Sequence, residues 1–218
     1  MDELKAGQSR SYDSPLRREQ ARATERRILA AARRLLLGRG YAGVSIAAIA
    51  AEAGVSVQTI YRRLGTKAAL TKHLYDVTLT GDDNPVLLAE RPEFLPSATE
   101  RDPRRALANY ARIGCATNER LGRLYAVILA GAQAGDKDLR ALVAVIEQER
   151  LTGNEQFAAF LAQLGVLRPG LTVRRASDLL WALTAPELFH RLTADRGWTP
   201  DEFEDWIVRA MADAVLAR

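Results

Sequence analysis

The chain has 218 residues, of which 48% are hydrophobic and 27% are charged, as is typical of a globular protein. No apolar run approaches the ~18–20 residues that cross a bilayer, and the polar first twenty residues lack the apolar core of a secretory signal. Cys115 is the single cysteine, which excludes an intrachain disulfide, so we expect a reducing, cytoplasmic location.

The net charge of +4 is unevenly distributed along the chain. Residues 1–72 carry 14 Lys and Arg against 6 Asp and Glu, whereas residues 73–218 carry 17 against 21. A basic amino-terminal part on an acidic body indicates that the amino-terminal part meets a polyanion such as a nucleic acid. A solvated basic tail would explain the same asymmetry without any partner.

The first predicted elements are a disordered basic arm over residues 1–18 and a helical domain over residues 19–65. Apolar residues recur at helical spacing until Gly38 and Gly40 end the first helix. Three short-range capping signals follow, each a Ser or Thr that can accept a hydrogen bond from the helix it precedes. Ser45 begins a helix over 46–52, Ser56 one over 57–63, and Thr66 one that runs to about Leu79.

The rest of the chain, residues 66–218, is predicted to be a second helical domain. Residues 81–97 contain three prolines and are predicted to be mostly loop. Helical spacing then predicts helices at about 103–115, 118–134, 137–164 and 172–193. The last helix begins at a capping box in which Thr199 is the N-cap, Pro200 the first residue and Glu202 the third. No strand pattern is convincing, so we predict an all-α protein of about nine helices.

Two short helices meet around Gly54 in the pattern of a helix-turn-helix. Ala50 and Gly54 are four residues apart and so lie at the crossing, where Gly54 can take a positive φ. Ile49, Ala53, Val55 and Ile60 supply a small core. A surface helical hairpin without a partner can show the same spacing.

Polar and small side chains remain on the outer face of the second helix of this pair. Gln can bond adenine with two hydrogen bonds, the Val and Thr methyl groups can touch a thymine methyl, and Arg and Tyr can contact guanine or phosphate. The candidate DNA-contacting residues on and before this helix are Ser56, Val57, Gln58, Thr59, Tyr61 and Arg62.

Lys67 is the strongest candidate for a phosphate contact outside that helix. It follows Thr66 at a helix start, where a cation opposes the helix dipole at a cost of roughly 0.3–1 kcal/mol, and a bound phosphate would reverse that sign. Thr66 and Ser45, which also begins a helix, are therefore further candidates for DNA contact. A tolerated surface lysine is the alternative interpretation.

Residues 26–70 strongly resemble the DNA-binding domain of the TetR (tetracycline repressor) family of transcriptional regulators. The landmarks include Ala53-Gly54-Val55-Ser56, Thr59-Ile60-Tyr61, Lys67 and Leu70. The resemblance implies a three-helix DNA-binding head whose third helix enters the major groove, with phosphates held by Tyr61 and Lys67. One departure is Leu64, where the family usually has an aromatic residue.

The resemblance also implies that the body binds a small ligand and pairs through its last two helices into a four-helix bundle. The expected dimer-interface residues are Leu179, Leu180, Leu183, Phe203, Trp206, Ala210, Met211 and Ala214. The candidate pocket residues are Tyr75, Tyr110, Gly114, Tyr125, Phe160 and Trp181. Burial within one chain is the alternative for both sets.

Sequence and resemblance together predict a homodimeric repressor that binds a palindromic operator in double-stranded DNA and is released by an unknown small-molecule effector. The alternative is a ligand-independent activator or architectural DNA-binding protein. With only His73, His190 and Cys115 available and neither a P-loop nor a nucleophile elbow, we expect no catalytic residue, metal or cofactor, and therefore no enzyme.

Overall fold

The computed structural model describes residues 15–81 and 99–217. Within these two stretches the regular structure is helical, apart from one isolated antiparallel bridge between Leu167 and Leu216. The predicted all-α class is therefore confirmed. The helices are α1 (Pro15–Arg39), α2 (Ile46–Ala53), α3 (Val57–Leu64), α4 (Lys67–Thr80), α5 (Pro103–Gln133), α6 (Lys137–Gln163), α7 (Val173–Leu183), α8 (Pro186–His190) with a π-helical continuation (Arg191–Asp195), and α9 (Pro200–Val215).

The predicted helices at 103–115 and 118–134 are one continuous helix, α5. Neither Pro nor Gly lies between them, so nothing in the backbone chemistry interrupts the helix there. Asn118 is buried at the point where a break was expected, and its Nδ2 donates to the Thr184 carbonyl at 3.4 Å. The polar residue therefore contacts α7 rather than starting a new helix.

The predicted helix at 172–193 is interrupted, in contrast, because of Pro186. A proline has no amide hydrogen and disfavours helical geometry in the residue before it. Ala185 is accordingly extended, with ψ 131°, between the end of α7 and Pro186 at the start of α8. Apolar residues keep their helical spacing on both sides of Pro186, which is why the sequence predicted one uninterrupted helix.

Two segments, residues 1–18 and residues 81–97, were predicted to lack regular structure. Residues 15–18, expected in the disordered arm, belong to α1. Residues 1–14 and nearly all of the predicted loop at 81–97 lie outside the described residues.

The apolar side chains form two clusters, and the first of them joins the head to the body. It contains Ile28, Leu36 and Ile60 from the head together with Leu124 and Ile146 from the middle of α5 and α6. The second cluster fills the other end of the body, between the start of α5, the end of α6, and α7 to α9. The domain boundary at residues 65 and 66 stays a prediction, and the first core extends across it.

Gly131 allows the head to lie close against the body. A Cβ at this position would be 2.3 Å from Leu139 Cδ1 and 3.5 Å from Tyr41 Cβ. Tyr41, on the loop between α1 and α2, and Leu139, on α6, are both buried. The head is thus anchored to the turn between α5 and α6 by direct packing.

Candidate nucleic-acid interface and effector region

The turn between α2 and α3 has the geometry that its sequence predicts. Gly54 takes the left-handed conformation with φ 63° and ψ 41°, and the Val55 amide donates to the Ala50 carbonyl at 3.0 Å. These two features close α2 in the manner of a Schellman motif. Ile60 and Leu64 are buried and hold α3 against the rest of the head.

Replacing Gly54 with alanine should destabilise the protein by about 1–2 kcal/mol, because an L-residue in the left-handed region brings its Cβ too close to the following carbonyl oxygen. Gly54→Asn should cost less, since Asn tolerates this region better. Thermal unfolding followed by circular dichroism measures both. Gly38→Ala, inside α1 with open space around the new Cβ, is the matched control and should be neutral or stabilising. Equal losses at both glycines would contradict this account.

The three predicted capping residues all cap their helices. The side chains of Ser45, Ser56 and Thr66 accept hydrogen bonds from the amides of Ala48, Thr59 and Ala69 at 3.1–3.2 Å. All three caps are solvent-exposed, so each leaves a helix start open to solvent. Such starts carry partial positive charge and unpaired amides that favour an anion.

The outer face of α3 is exposed as predicted. Val57 and Tyr61 are 37% and 54% exposed, and Gln58, Arg62 and Arg63 are also exposed. The exception is Thr59, which is half-buried and whose hydroxyl lies 2.9 Å from Ser56 Oγ. The Thr59 hydroxyl is therefore engaged in the cap, and its methyl group is the part that can contact a base.

Lys67 has partners within the protein that the sequence argument omitted. Its Nζ donates to the Tyr41 carbonyl at 2.5 Å and lies 3.7 Å from the centre of the Tyr41 ring. Burial lowers the pKa of Lys67, an effect that the charge of Asp136 opposes. The unfavourable position at the helix start is thus compensated by a carbonyl and a cation–π contact, so a phosphate is not needed to explain this lysine.

The sequence shows Arg62-Arg63 as a doubly basic end of the reading helix, but it does not reveal the role of Tyr41. Arg63 is exposed beside Arg62 at the end of α3 and adds a second cation to the candidate interface. Burial, followed by the charges of Asp136 and Asp138, raises the pKa of Tyr41 to about 12. The signal for Arg63 was present in the doubled arginine, whereas the contact between Tyr41 and Lys67 spans 26 residues and leaves no local pattern.

Comparison with known proteins identifies this arrangement. Residues 28–74 match the family model described as bacterial regulatory proteins of the tetR family. The chain carries a tetR-family DNA-binding domain. The match covers α2, α3, the second half of α1 and the first half of α4, which are the elements that position the interface.

Solved structures extend the likeness of fold over the helical body. Native NalD from Pseudomonas aeruginosa, the secondary repressor of the MexAB-OprM multidrug efflux pump, is 25% identical with a TM-score of 0.69, over 90% of this chain and 98% of that chain. A second NalD structure is 26% identical with a TM-score of 0.65, over 91% and 98%. A SmeT–triclosan complex, 19% identical with a TM-score of 0.63 over 89% and 92%, shares the fold. None of the curated proteins matches the chain.

The helical body contains a polar layer around Glu147 on α6. Its carboxylate accepts hydrogen bonds from the Tyr125 hydroxyl at 2.5 Å and from the Trp181 indole at 3.0 Å, and it pairs with Arg150 at 2.6 Å. Arg150 also donates to the Trp181 carbonyl at 3.1 Å. Burial, and then the Glu147 carboxylate, raise the pKa of Tyr125, so its hydroxyl stays a donor.

The predicted pocket residues fall into two groups. Tyr75 and Tyr125 approach each other with ring centres 6.4 Å apart beside the polar layer, and Trp181 belongs to that layer. Tyr110 instead stacks on Phe157 at 4.0 Å and donates to Asn154, while Phe157 neighbours Phe160 at 6.2 Å. Gly114 faces Thr184, whose methyl group would lie 4.0 Å from a Cβ there. Sequence reasoning missed Glu147 and Arg150, which connect the first group.

Three of the expected dimer-interface residues are covered within a single chain. Leu180, Phe203 and Met211 are at most 2% exposed and belong to the second core, so they cannot present a surface to a partner. The expectation is wrong for these three, because apolar spacing alone does not show which side of a helix faces its own core. The remaining five stay half-buried at the edge of that core: Leu179, Leu183, Trp206, Ala210 and Ala214.

Cys115 is a buried thiol of the second core. Burial, followed by the charges of Glu204 and Glu119, raises its pKa to about 12. At neutral pH the reactive thiolate is therefore scarce, and the residue packs as a small apolar side chain.

Among the described residues, no group of three or more His, Cys, Asp or Glu side chains is arranged to hold a metal ion. Over the same part of the chain, no helix combines the length and apolarity that crossing a membrane requires.

Proposed function

We propose that the protein is a cytoplasmic, homodimeric transcriptional repressor that binds a palindromic DNA operator and is released from it by a small-molecule effector. The observation that carries the proposal is the exposed outer face of α3, with Gln58, Tyr61 and Arg62 presented beside the start of α4. The likeness to NalD, a repressor, supports the direction of regulation. Nothing in the site calls for catalysis.

The proposed DNA contacts divide into two classes. In the first class, Gln58, Val57 and the Thr59 methyl group of α3 contact base edges in the major groove. In the second class, Tyr61, Arg62 and the amides at the capped starts of α2 and α4 hold phosphates. The first class gives sequence preference, and the second gives affinity that depends on salt.

The polar layer around Glu147 is the proposed effector region. Its aromatic and charged groups suit a small aromatic ligand that exchanges hydrogen bonds with Glu147 and Arg150. The SmeT–triclosan complex shows a small aromatic molecule on this fold. A ligand there would also disturb α4, since Tyr75 on α4 contacts Tyr125 and Lys72 on α4 pairs with Glu149 at 3.1 Å.

Movement of α4 is the proposed route to release. Only Gly65 and Thr66 separate α4 from α3, so a rotation of α4 changes the distance between the two recognition helices of a dimer. Half-sites one helical turn apart require a separation of about 34 Å, and a small rotation suffices to lose that fit.

The test is a titration of the protein with double-stranded DNA over a range of KCl concentrations. If each head holds about four phosphates, the logarithm of the association constant should fall with the logarithm of the salt concentration at a slope of roughly −7 for the dimer. DNA fragments from the neighbourhood of the gene are the first to try, beside a shuffled control. A slope near zero on every fragment would overturn the proposal.

A further inference from the structure

A cleft of about 350 Å³ lies between α1, α4 and α5, away from the polar layer around Glu147. Its floor is apolar and is made by Leu29 and Ala30 of α1 with Leu74 and Val77 of α4. Leu29 and Leu74 are also part of the first core, so the floor is rigidly held. The volume lies at the lower end of the range of roughly 300–1,000 Å³ found for small-molecule sites.

The rim of the cleft is positively charged. Arg26 and Arg33 of α1 and Arg120 of α5 line it together with one carboxylate, Glu25, and Arg26 is paired with Glu19 at 2.7 Å. The Glu25 carboxylate lies 2.6 Å from His73 Nε2, so it already has a partner within the protein. Arg120 is held over the end of α4, where its Nη2 donates to the Leu79 carbonyl at 3.2 Å. The planar guanidinium groups of Arg33 and Arg120 can each donate two parallel hydrogen bonds to a carboxylate or sulfonate.

We propose that this cleft binds a small amphiphilic anion, such as a medium-chain carboxylate. Its apolar part would cover Leu29, Leu74 and Val77, and its charged group would pair with Arg33 and Arg120. The combination of an apolar floor and a cationic rim selects this class over neutral apolar molecules and over small hydrophilic anions.

Occupancy of the cleft would also reach the DNA-binding head, and this step rests on the proposed function. The two long walls are α1, which packs on α2, and α4, which follows α3. A ligand that fits one angle between these helices better than another shifts the equilibrium toward that angle. The cleft would then act as a second regulatory site, separate from the effector region.

Isothermal titration calorimetry of the full chain with sodium octanoate and with 1-octanol tests the binding step without DNA. We expect octanoate to bind with a Kd on the order of 0.1–1 mM and octanol at least tenfold more weakly. Arg33→Gln and Arg120→Gln should each lower the octanoate affinity about tenfold and leave octanol unchanged. Arg27→Gln, an exposed arginine of α1 outside the cleft, is the matched control.

A second pair of variants tests the location. Ala30→Phe places a ring in the cleft from an exposed position and should abolish octanoate binding, whereas Ala23→Phe, exposed on the same helix outside the cleft, should not. Octanoate binding that survives Ala30→Phe, or octanol binding as tight as octanoate, would overturn the site. Binding without any change in DNA affinity would overturn only its regulatory role. A wild-type protein that binds no DNA when octanoate is absent would instead contradict the proposed function.

Discussion

Replacing Gln58 with alanine is expected to weaken binding to the operator by at least tenfold while leaving the affinity for unrelated DNA unchanged. The side chain is exposed on α3, and in the proposed function it bonds a base edge. Such a bidentate contact contributes about 1–3 kcal/mol of discrimination. A dimer would make the contact twice, so the loss of operator affinity should be larger for the dimer than for a single head. Fluorescence anisotropy with operator and shuffled DNA measures both affinities.

Lys67→Ala should behave differently in two respects. If Lys67 also reaches a phosphate, its loss lowers affinity for every sequence by the same factor and makes the salt slope less steep by about 2 for the dimer. Loss of its contacts with Tyr41 should also lower the free energy of unfolding by about 1 kcal/mol. A fall in stability with an unchanged salt slope would show that Lys67 is purely structural.

Lys137→Ala serves as the control for both measurements, since Lys137 is exposed at the start of α6 in the body. It should change neither the DNA affinity nor the salt slope. If Gln58→Ala and Lys67→Ala reduced operator and shuffled DNA binding by equal factors, the division into base and phosphate contacts would be wrong.

Helix caps and tight turns depend on residues close in sequence, so the residues that form them could be identified from the sequence. Ser45, Ser56 and Thr66 each accept from the amide three residues on, and Thr199 forms its capping box with Glu202. The left-handed glycine of the α2–α3 turn belongs to the same class. These signals were sufficient to predict the caps and the turn of the candidate interface, because each depends on residues only a few positions apart.

Contacts between distant residues could not be predicted in the same way. Glu147 meets Tyr125 and Trp181 at separations of 22 and 34 residues, and Lys67 meets Tyr41 at 26. No periodicity connects such residues, since their meeting depends on how whole helices pack. The candidate pocket was accordingly predicted as six aromatic or small residues, without the Glu147 carboxylate that connects two of them, Tyr125 and Trp181.

The face of α9 illustrates a third limit. Its apolar spacing is regular, but Phe203, Met211 and Val215 face the second core while Trp206, Ala210 and Ala214 lie beside that face. We call the last three residues the α9 stripe. An apolar face too broad for one packing contact indicates that the helix packs against two surfaces. The sequence does not show which side chains face which surface. The distinction matters for testing the dimer, because a charge at Met211 would unfold the body rather than separate two chains.

The α9 stripe provides the sharper test of dimerisation. At one end of the stripe, the ring centre of Trp206 lies 5.9 Å from that of Trp198 and 5.7 Å from that of Phe203. Ala210 and Ala214 are small and half-buried. Small residues allow two helices to approach closely, so they are suited to the centre of a helix–helix contact. Ala210→Glu combined with Ala214→Glu adds two charges to each half of a symmetric interface at positions that lie at the edge of the second core and not inside it.

This double variant is expected to sediment as a monomer with unchanged helical circular dichroism, while the wild type sediments as a dimer. The buried like charges would face each other across the two-fold axis and lack counter-ions, which strongly disfavours association. Arg209→Glu, an exposed change one residue from Ala210, should remain dimeric. A double variant that keeps the dimer mass would show that the proposed bundle uses a different surface.

The same variant connects dimerisation to DNA recognition. Two heads joined in one dimer bind a palindromic operator with the second contact made at a high effective concentration, which raises the affinity by about 100-fold or more. A folded monomer should therefore lose at least this factor on the operator, and its salt slope should fall to about half because one head holds half of the phosphates. An operator affinity equal to that of the wild type would mean that each head binds alone, and the palindrome would then have no role in recognition.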